Sequence, residues 1–132
     1  MPDADTPLEL VSRFCALWPT LDLQGDLKPL LDFFTDDAVY HNIPVAPVTG
    51  KDGIRTTINM FATGVDRIEF RVDNIAADGD VVMTERVDIF NLSDGRAIEL
   101  PVMGTFVVSG GKISAWRDYF DLNQFMSQLT PS

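Results

Sequence analysis

Residues 81–92 read VVMTERVDIFNL and follow the period-two alternation of a long β-strand. The two faces of this strand carry the even-numbered residues Val82, Arg86, Asp88 and Phe90 and the odd-numbered residues Val81, Met83, Val87 and Ile89. Both sets are rich in apolar side chains, so the sheet needs a packing partner on each side. We expect the helices of this chain on one side. On the other side we expect a second copy of the chain, which makes the protein a homodimer.

Turn signals on both sides of this strand predict hairpins. ADGD at residues 77–80 separates it from an alternating segment that begins at Val65. SDG at residues 93–95 separates it from a further alternating segment at 97–109. Residues 112–120 form the last predicted strand. The second half of the chain therefore predicts four consecutive antiparallel strands.

Helical patterns dominate the first half of the chain. TPLE at residues 6–9 is a capping box with proline at the first helical position, and Pro19 marks the end of this helix. The remaining predicted segments are helices at 27–34, 51–62 and 122–129, a strand at 36–42 and a loop at 44–50. Helices followed by antiparallel strands indicate the α+β class. We expect a curved, strongly twisted mixed sheet, mostly antiparallel, whose N-terminal helices cover a conical apolar pocket in one domain spanning 1–132.

Composition excludes several classes of partner. The net charge is −10, from 20 acidic and 10 basic residues. This charge argues against binding to nucleic acid or to anionic membrane surfaces. The N-terminal MPDADTP lacks the features of a signal peptide, and no apolar run reaches the length of a membrane span. With one cysteine and one histidine, a zinc or redox-metal site is improbable. We therefore expect a cytoplasmic protein without a cofactor.

Five polar residues lie in segments that otherwise predict hydrophobic strands: Tyr40 and Asn42 in VYHNIP, Arg86 and Asp88 in TERVDIF, and Asp118 in AWRDYF. The members of each pair share a strand face because they are two residues apart. Buried carboxylates are costly unless they are paired, so two carboxylates with one guanidinium in an apolar setting favour acid–base catalysis. Apolar side chains that we expect to line the same pocket are Phe90, Leu100, Val102, Trp116, Phe120 and Phe125.

Each of these residues also has a purely structural interpretation. An isolated buried Arg–Asp pair is more often a structural ion pair than a catalytic one. Tyr40 alone would be a core tyrosine, and Asn42 alone would be a turn residue before Ile43-Pro44. The coincidence of all five polar residues on pocket-facing positions favours catalysis.

The segments YHNIP, ERVDIF and WRDYFD closely resemble the limonene-1,2-epoxide hydrolase family, within the larger nuclear-transport-factor-2-like and SnoaL-like fold. This resemblance covers nearly the whole chain. It implies a curved sheet with helices over a deep apolar pocket, usually in a dimer. It also implies that Asp118 is the general base and Asp88 the general acid, with Arg86 as the bridge between them. By the same resemblance, Tyr40 and Asn42 help Asp118 to hold the attacking water.

The reaction implied by the resemblance is the one-step addition of water to a small apolar epoxide, which gives a vicinal diol without a covalent intermediate. Opening an epoxide requires one group that removes a proton from water and another that protonates the ring oxygen. Two carboxylates that share one arginine can supply both, because one proton distributes over the coupled pair. Two other functions remain open for this fold: a non-catalytic small-molecule-binding module, and an isomerase or polyketide-type cyclase.

Overall fold

Six strands form a single mixed sheet in the computed structural model, which describes residues 5–130. The two ends of the predicted domain 1–132 lie outside the described residues. The strands are β1 (Phe34–Asn42), β2 (Val48–Thr49), β3 (Val65–Asp78), β4 (Val81–Leu92), β5 (Ala97–Ser109) and β6 (Lys112–Tyr119). Their order across the sheet is β2-β1-β6-β5-β4-β3. Neighbouring strands are antiparallel except β1 and β6, which are parallel. The predicted mixed, mostly antiparallel α+β architecture is confirmed.

Four α-helices accompany the sheet: α1 (Pro7–Leu17), α2 (Lys28–Leu31), α3 (Lys51–Phe61) and α4 (Leu122–Leu129). The predicted capping box is present, because Thr6 accepts a hydrogen bond from the Glu9 amide while Glu9 accepts one from the Thr6 amide. A 3₁₀ turn, Trp18–Thr20, follows α1 at the point where Pro19 cannot continue the α-helical bonding. Within residues 5–130, no helix is both long enough and apolar enough to cross a membrane.

The helix predicted at 27–34 is shorter in the structure, and the following strand starts earlier than residue 36. The helix ends at Leu31, and Phe34 is already the first residue of β1. This segment joins the sheet earlier than predicted, because the Ile113 amide donates a hydrogen bond to the Phe33 carbonyl at 2.7 Å. The predicted loop at 44–50 also contains the two-residue strand β2, which pairs with β1.

The alternation predicted for β4 and β5 is present. Their even-numbered side chains are buried on the concave face of the sheet, whereas Met83 on the convex face is 51% exposed. Helix α1 covers the concave face through Phe14, whose ring meets the rings of Phe34, Phe106 and Trp116 edge-on at 5.1–5.6 Å. The core therefore lies between α1 and the concave face, and the rest of that face is free to line a cavity.

Candidate active site

Arg86 on β4 joins two carboxylates that come from different strands. Its Nε donates to Asp88 Oδ1 and its Nη2 to Asp88 Oδ2, both at 2.9 Å. Nη2 also donates to Asp118 Oδ2 on β6 at 2.9 Å, and Nη1 donates to Asp118 Oδ1 at 3.2 Å. The Arg86 side chain has no solvent exposure, and the two aspartate side chains are 6% and 5% exposed. Asp88 and Asp118 line the cavity described below, whereas Arg86 lies behind them.

Every N–H of the guanidinium has an acceptor. The remaining one, on Nη1, donates to Thr84 Oγ1 at 3.1 Å, and the Thr84 hydroxyl in turn donates to the Gly104 carbonyl at 3.3 Å. The Phe70 ring covers one face of the guanidinium, with Arg86 Cζ 4.4 Å from the ring centroid. A buried cation is tolerated only when its donors are satisfied and its charge is compensated, and both conditions hold here.

Arg86 reaches Asp118 across the intervening strand β5 because Gly104 has no side chain. Gly104 pairs with Thr84 on one side and with Asp118 on the other. A Cβ at position 104 would lie 2.3 Å from Arg86 Nη1 and 2.7 Å from Asp118 Oδ1. The backbone of Gly104 needs no unusual φ, so the glycine is required for close approach alone. The sequence analysis did not identify this role of Gly104.

The two carboxylates differ in their hydrogen-bond donors. Asp118 accepts a third N–H, from Trp116 Nε1 at 2.7 Å, whereas the bonds to Asp88 come from Arg86 alone. Burial raises the pKa of Asp88 to about 6, and the nearby charge of Asp118 adds to the rise while Arg86 opposes it. The extra donor thus distinguishes Asp118 from Asp88, whose raised pKa favours a bound proton.

Tyr40 and Asn42 lie beside Asp118 because their strand, β1, pairs in parallel with β6. In this register Tyr40 lies opposite Trp116, and Asn42 lies opposite Asp118. The Tyr40 ring stacks on the Trp116 indole, with centroids 4.1 Å apart and planes 13° apart. Burial, and secondarily the charge of Asp118, raise the pKa of the Tyr40 phenol, so it remains neutral and can donate a proton in a hydrogen bond. Both side chains line the cavity next to Asp118.

The space between these side chains, including the part open to solvent, amounts to about 480 Å³. Its polar lining consists of the two aspartates, Tyr40 and Asn42. The sequence-predicted apolar residues that line it are Phe90, Leu100, Val102, Phe120 and Phe125. Phe125 on α4 packs edge-on against Phe61 and Phe90 at 5.8 and 5.3 Å and closes one end. The acid–base groups thus lie in a largely apolar chamber.

The expectation that Trp116 lines the pocket is wrong. Trp116 is fully buried behind the wall, stacked between Tyr40 and Phe106. Its spacing of two residues from Asp118 placed it on the correct face, but Tyr40 lies over it. The lining residues that sequence reasoning missed are Trp18, Ile58, Phe61, Ile68 and Phe70. The spacing of Ile54, Ile58 and Phe61 along α3 was the available signal for part of this set.

Other reactive side chains lie away from the cavity or are unreactive. His41 pairs in register with Arg117, on the face of the sheet opposite to the cavity. Cys15 is buried, and burial raises the pKa of its thiol to about 12, so no thiolate forms near neutral pH. Across residues 5–130, no group of three or more His, Cys, Asp or Glu side chains is arranged to hold a metal ion.

Residues 11–131 match the family model for the limonene-1,2-epoxide hydrolase catalytic domain. The chain is also similar to epoxide hydrolase EphG of Mycobacterium tuberculosis, with 39% identity over 95 residues. The aligned segment covers 71% of this chain and 62% of that protein, so it spans less than two thirds of the length of this curated relative.

Solved structures share the fold over nearly the whole chain. A limonene-epoxide-hydrolase-like epoxide hydrolase from M. tuberculosis has a TM-score of 0.77 and 27% identity, covering 97% of this chain and 92% of that one. A candidate SnoaL-like polyketide cyclase from Shewanella putrefaciens has a TM-score of 0.78 at 16% identity, covering 98% and 97% of the two chains. At this lower identity the likeness concerns the fold alone.

We predict that Gly104→Ala lowers the free energy of unfolding by about 1–3 kcal/mol, because the new Cβ forces Arg86 or Asp118 out of position. Chemical denaturation of both variants measures the effect. Gly53→Ala is the matched control: its Cβ would lie 3.4 Å from Val48 Cβ, within α3, where alanine stabilises a helix. Equal stabilities of the two variants would show that the Gly104 contact is not a constraint.

Proposed function

Because this chain belongs to the limonene-1,2-epoxide hydrolase family, we propose that it adds water to a small apolar epoxide and forms a vicinal diol. The observation that carries the proposal is the bridge formed by Arg86 between two carboxylates that open onto an apolar cavity. The reaction needs no cofactor, and we place the activity in a single domain. A chain with one cysteine has no need of an oxidising compartment, which supports a cytoplasmic location.

In the proposed mechanism, Asp118, Tyr40 and Asn42 hold a water molecule against one epoxide carbon. Asp118 removes a proton from this water while the water oxygen forms a bond to carbon. The carbon–oxygen bond of the ring breaks in the same step, and Asp88 protonates the departing oxygen. Asp118 is then protonated and Asp88 ionised. Transfer of one proton back to Asp88 completes the cycle.

The electrostatics of the site support these two roles. A general acid must carry its proton near neutral pH, and burial raises the pKa of Asp88 in that direction. A general base must be held in place at the attacking water, and the Trp116 and Arg86 donors fix the Asp118 carboxylate at the cavity wall. Each group is expected to contribute about 10²–10⁴-fold to the rate. The release of ring strain makes the opening of the epoxide thermodynamically favourable.

A covalent route fits the site less well. It needs a carboxylate that attacks carbon and a second base, usually histidine, that hydrolyses the resulting ester. The single histidine, His41, lies on the face of the sheet opposite to the cavity. An isomerase or cyclase of the same fold would pair one carboxylate with an oxyanion-stabilising group, so it would not need the Arg86 bridge. A non-catalytic binding module would not need two carboxylates either.

We predict that Asp88→Asn and Asp118→Asn each reduce diol formation by about 10²–10⁴-fold, because each removes a separate proton transfer. The wild-type kcat/KM should also fall as the pH rises above about 6, where Asp88 loses its proton. Gas chromatography of the diol from a cyclic epoxide, without added cofactor, measures both effects. Asp78→Asn, at an exposed position in the β3–β4 hairpin, is the matched control. Near wild-type turnover in either active-site variant would contradict the proton-transfer role proposed for that residue.

We also predict that the oxygen added to the epoxide comes directly from solvent. In a single turnover with excess enzyme in ¹⁸O-water, mass spectrometry should find the label in the diol. Peptide analysis should find none in Asp88 or Asp118. Label in either carboxylate after turnover would indicate a covalent ester and contradict direct attack by water.

The convex face of the sheet supports the proposal of a homodimer. In-register pairing aligns an apolar row across four strands, formed by Val39, Ala115, Val107 and Val81. Next to this row, Met83, Met103 and Tyr119 are about half exposed. Such a face is costly to leave in water, and a two-fold axis through it would bury the same row from each copy.

We predict a dimeric mass in light scattering at micromolar concentration, and Met83→Lys should shift the equilibrium to monomer. Met60→Lys is the matched control, because Met60 is 71% exposed on α3, away from the convex face. A wild-type protein that is monomeric under these conditions would disprove the proposed interface.

A further inference from the structure

Among residues 5–130, the indole Nε1 of Trp18 is the single buried side-chain nitrogen or oxygen atom without a hydrogen-bond partner. Trp18 is 3% exposed, and it lines the same cavity as the two aspartates. An indole N–H can only donate, and a buried donor without an acceptor costs free energy. Native proteins rarely keep such a group unless a ligand or solvent satisfies it.

The Trp18 ring is held in a defined position relative to the acid–base groups. It stacks on Phe70, with centroids 4.5 Å apart and planes 20° apart. The Phe70 ring also covers the Arg86 guanidinium at 4.4 Å. The backbone at Trp18 is fixed by the 3₁₀ turn, because the Thr20 hydroxyl donates to the Leu17 carbonyl at 2.6 Å. The indole is thus separated from the Arg86 guanidinium by the Phe70 ring.

We infer that Trp18 forms a subsite for an oxygen acceptor on the substrate, remote from the epoxide; this inference rests on the proposed hydrolase function for the nature of the reacting group. The acceptor is neutral, since both aspartates line the cavity whereas Arg86 lies behind them. The rest of the cavity wall is mainly apolar and includes Ile58, Phe61 and Ile68. The substrate class is therefore a mainly hydrocarbon epoxide with one ketone or ether oxygen.

The position of Trp18 predicts how this bond acts in catalysis. Asp88 and Asp118 contact the reacting atoms, whereas the indole contacts a part of the substrate that does not change. A hydrogen bond of this kind stabilises the bound substrate and the transition state alike. It should lower KM and leave kcat nearly unchanged. Trp18 is therefore a specificity-determining residue rather than a catalytic one.

The test compares two cyclic epoxides with the same skeleton, one bearing a remote C=O and the other the isosteric C=CH₂. In the wild type, the ratio of kcat/KM for the ketone to that for the alkene should exceed the ratio in Trp18→Phe by about 3- to 10-fold. The change should lie in KM. Phenylalanine keeps an aromatic ring next to Phe70 and removes the donor together with part of the ring volume. The loss of volume affects the ketone and the isosteric alkene alike, so it cancels in the ratio. Phe33→Leu, which changes an aromatic side chain that packs on Phe14 and does not line this cavity, should keep the wild-type ratio. Equal ratios in the wild type and Trp18→Phe would overturn the inference.

A measurement without turnover separates this inference from the proposed reaction. Saturated analogues of the two substrates, which lack the epoxide, are titrated by calorimetry and by NMR of the ¹⁵N-labelled indoles. The protein has two tryptophans, and Trp116 already donates to Asp118, so it serves as an internal reference. The ketone should shift the Trp18 N–H resonance downfield and bind more tightly than the alkene. If neither epoxide is hydrolysed but this shift occurs, the subsite stands and the hydrolase proposal fails. Binding of the ketone without this shift would overturn the subsite. The Trp18 N–H would then face another group, such as the ring of Phe14.

Discussion

The buried guanidinium of Arg86 is the constraint on which the rest of the site depends. A cation with no solvent exposure persists only if each donor meets an acceptor and its charge is compensated. Asp88, Asp118 and Thr84 satisfy these donors, and Phe70 covers one face. Removing one carboxylate would leave two guanidinium N–H groups without acceptors in an apolar interior. The geometry that stabilises the arginine therefore also holds two carboxylates at the cavity wall.

The sheet allows this contact because position 104 on β5 is a glycine, which has no side chain. The arginine starts on β4 and its second carboxylate on β6, so the guanidinium must pass over β5. Gly104 lies on that path, and even a methyl group there would collide with both partners. Thr84, beside it, both receives a guanidinium N–H and donates to the Gly104 carbonyl. Register, glycine placement and charge pairing are thus a single requirement rather than three independent features.

The residues proposed to transfer protons and the residues that shape the cavity lie mainly on different elements of the fold. Its carboxylates, Tyr40 and Asn42 are contributed by β1, β4 and β6, whereas α3, α4 and the end of α1 contribute mainly apolar walls. Rigid strands hold the proton-transfer groups, where small displacements would be costly for the rate. The helices shape the remaining volume, so changes in Phe61, Phe125 or Trp18 can alter substrate choice without moving the aspartates. Proton transfer therefore depends mainly on the strands, and substrate choice depends mainly on the helices.

The sequence by itself determined the local features of this protein. Alternation in residues 81–92 placed Arg86 and Asp88 together on the concave face, and the capping box at Thr6 marked the start of α1. The similarity of three short segments to one family indicated the remaining site residues, because each segment keeps the family's residue types. Alternation alone could not show that Asp118 meets Arg86. Only the tertiary structure decided that contact, the parallel pairing that sets Asn42 opposite Asp118, and the burial of Trp116 behind Tyr40. The physical reason is that strand order and register are collective properties of the packed sheet, whereas alternation records only which face a residue occupies.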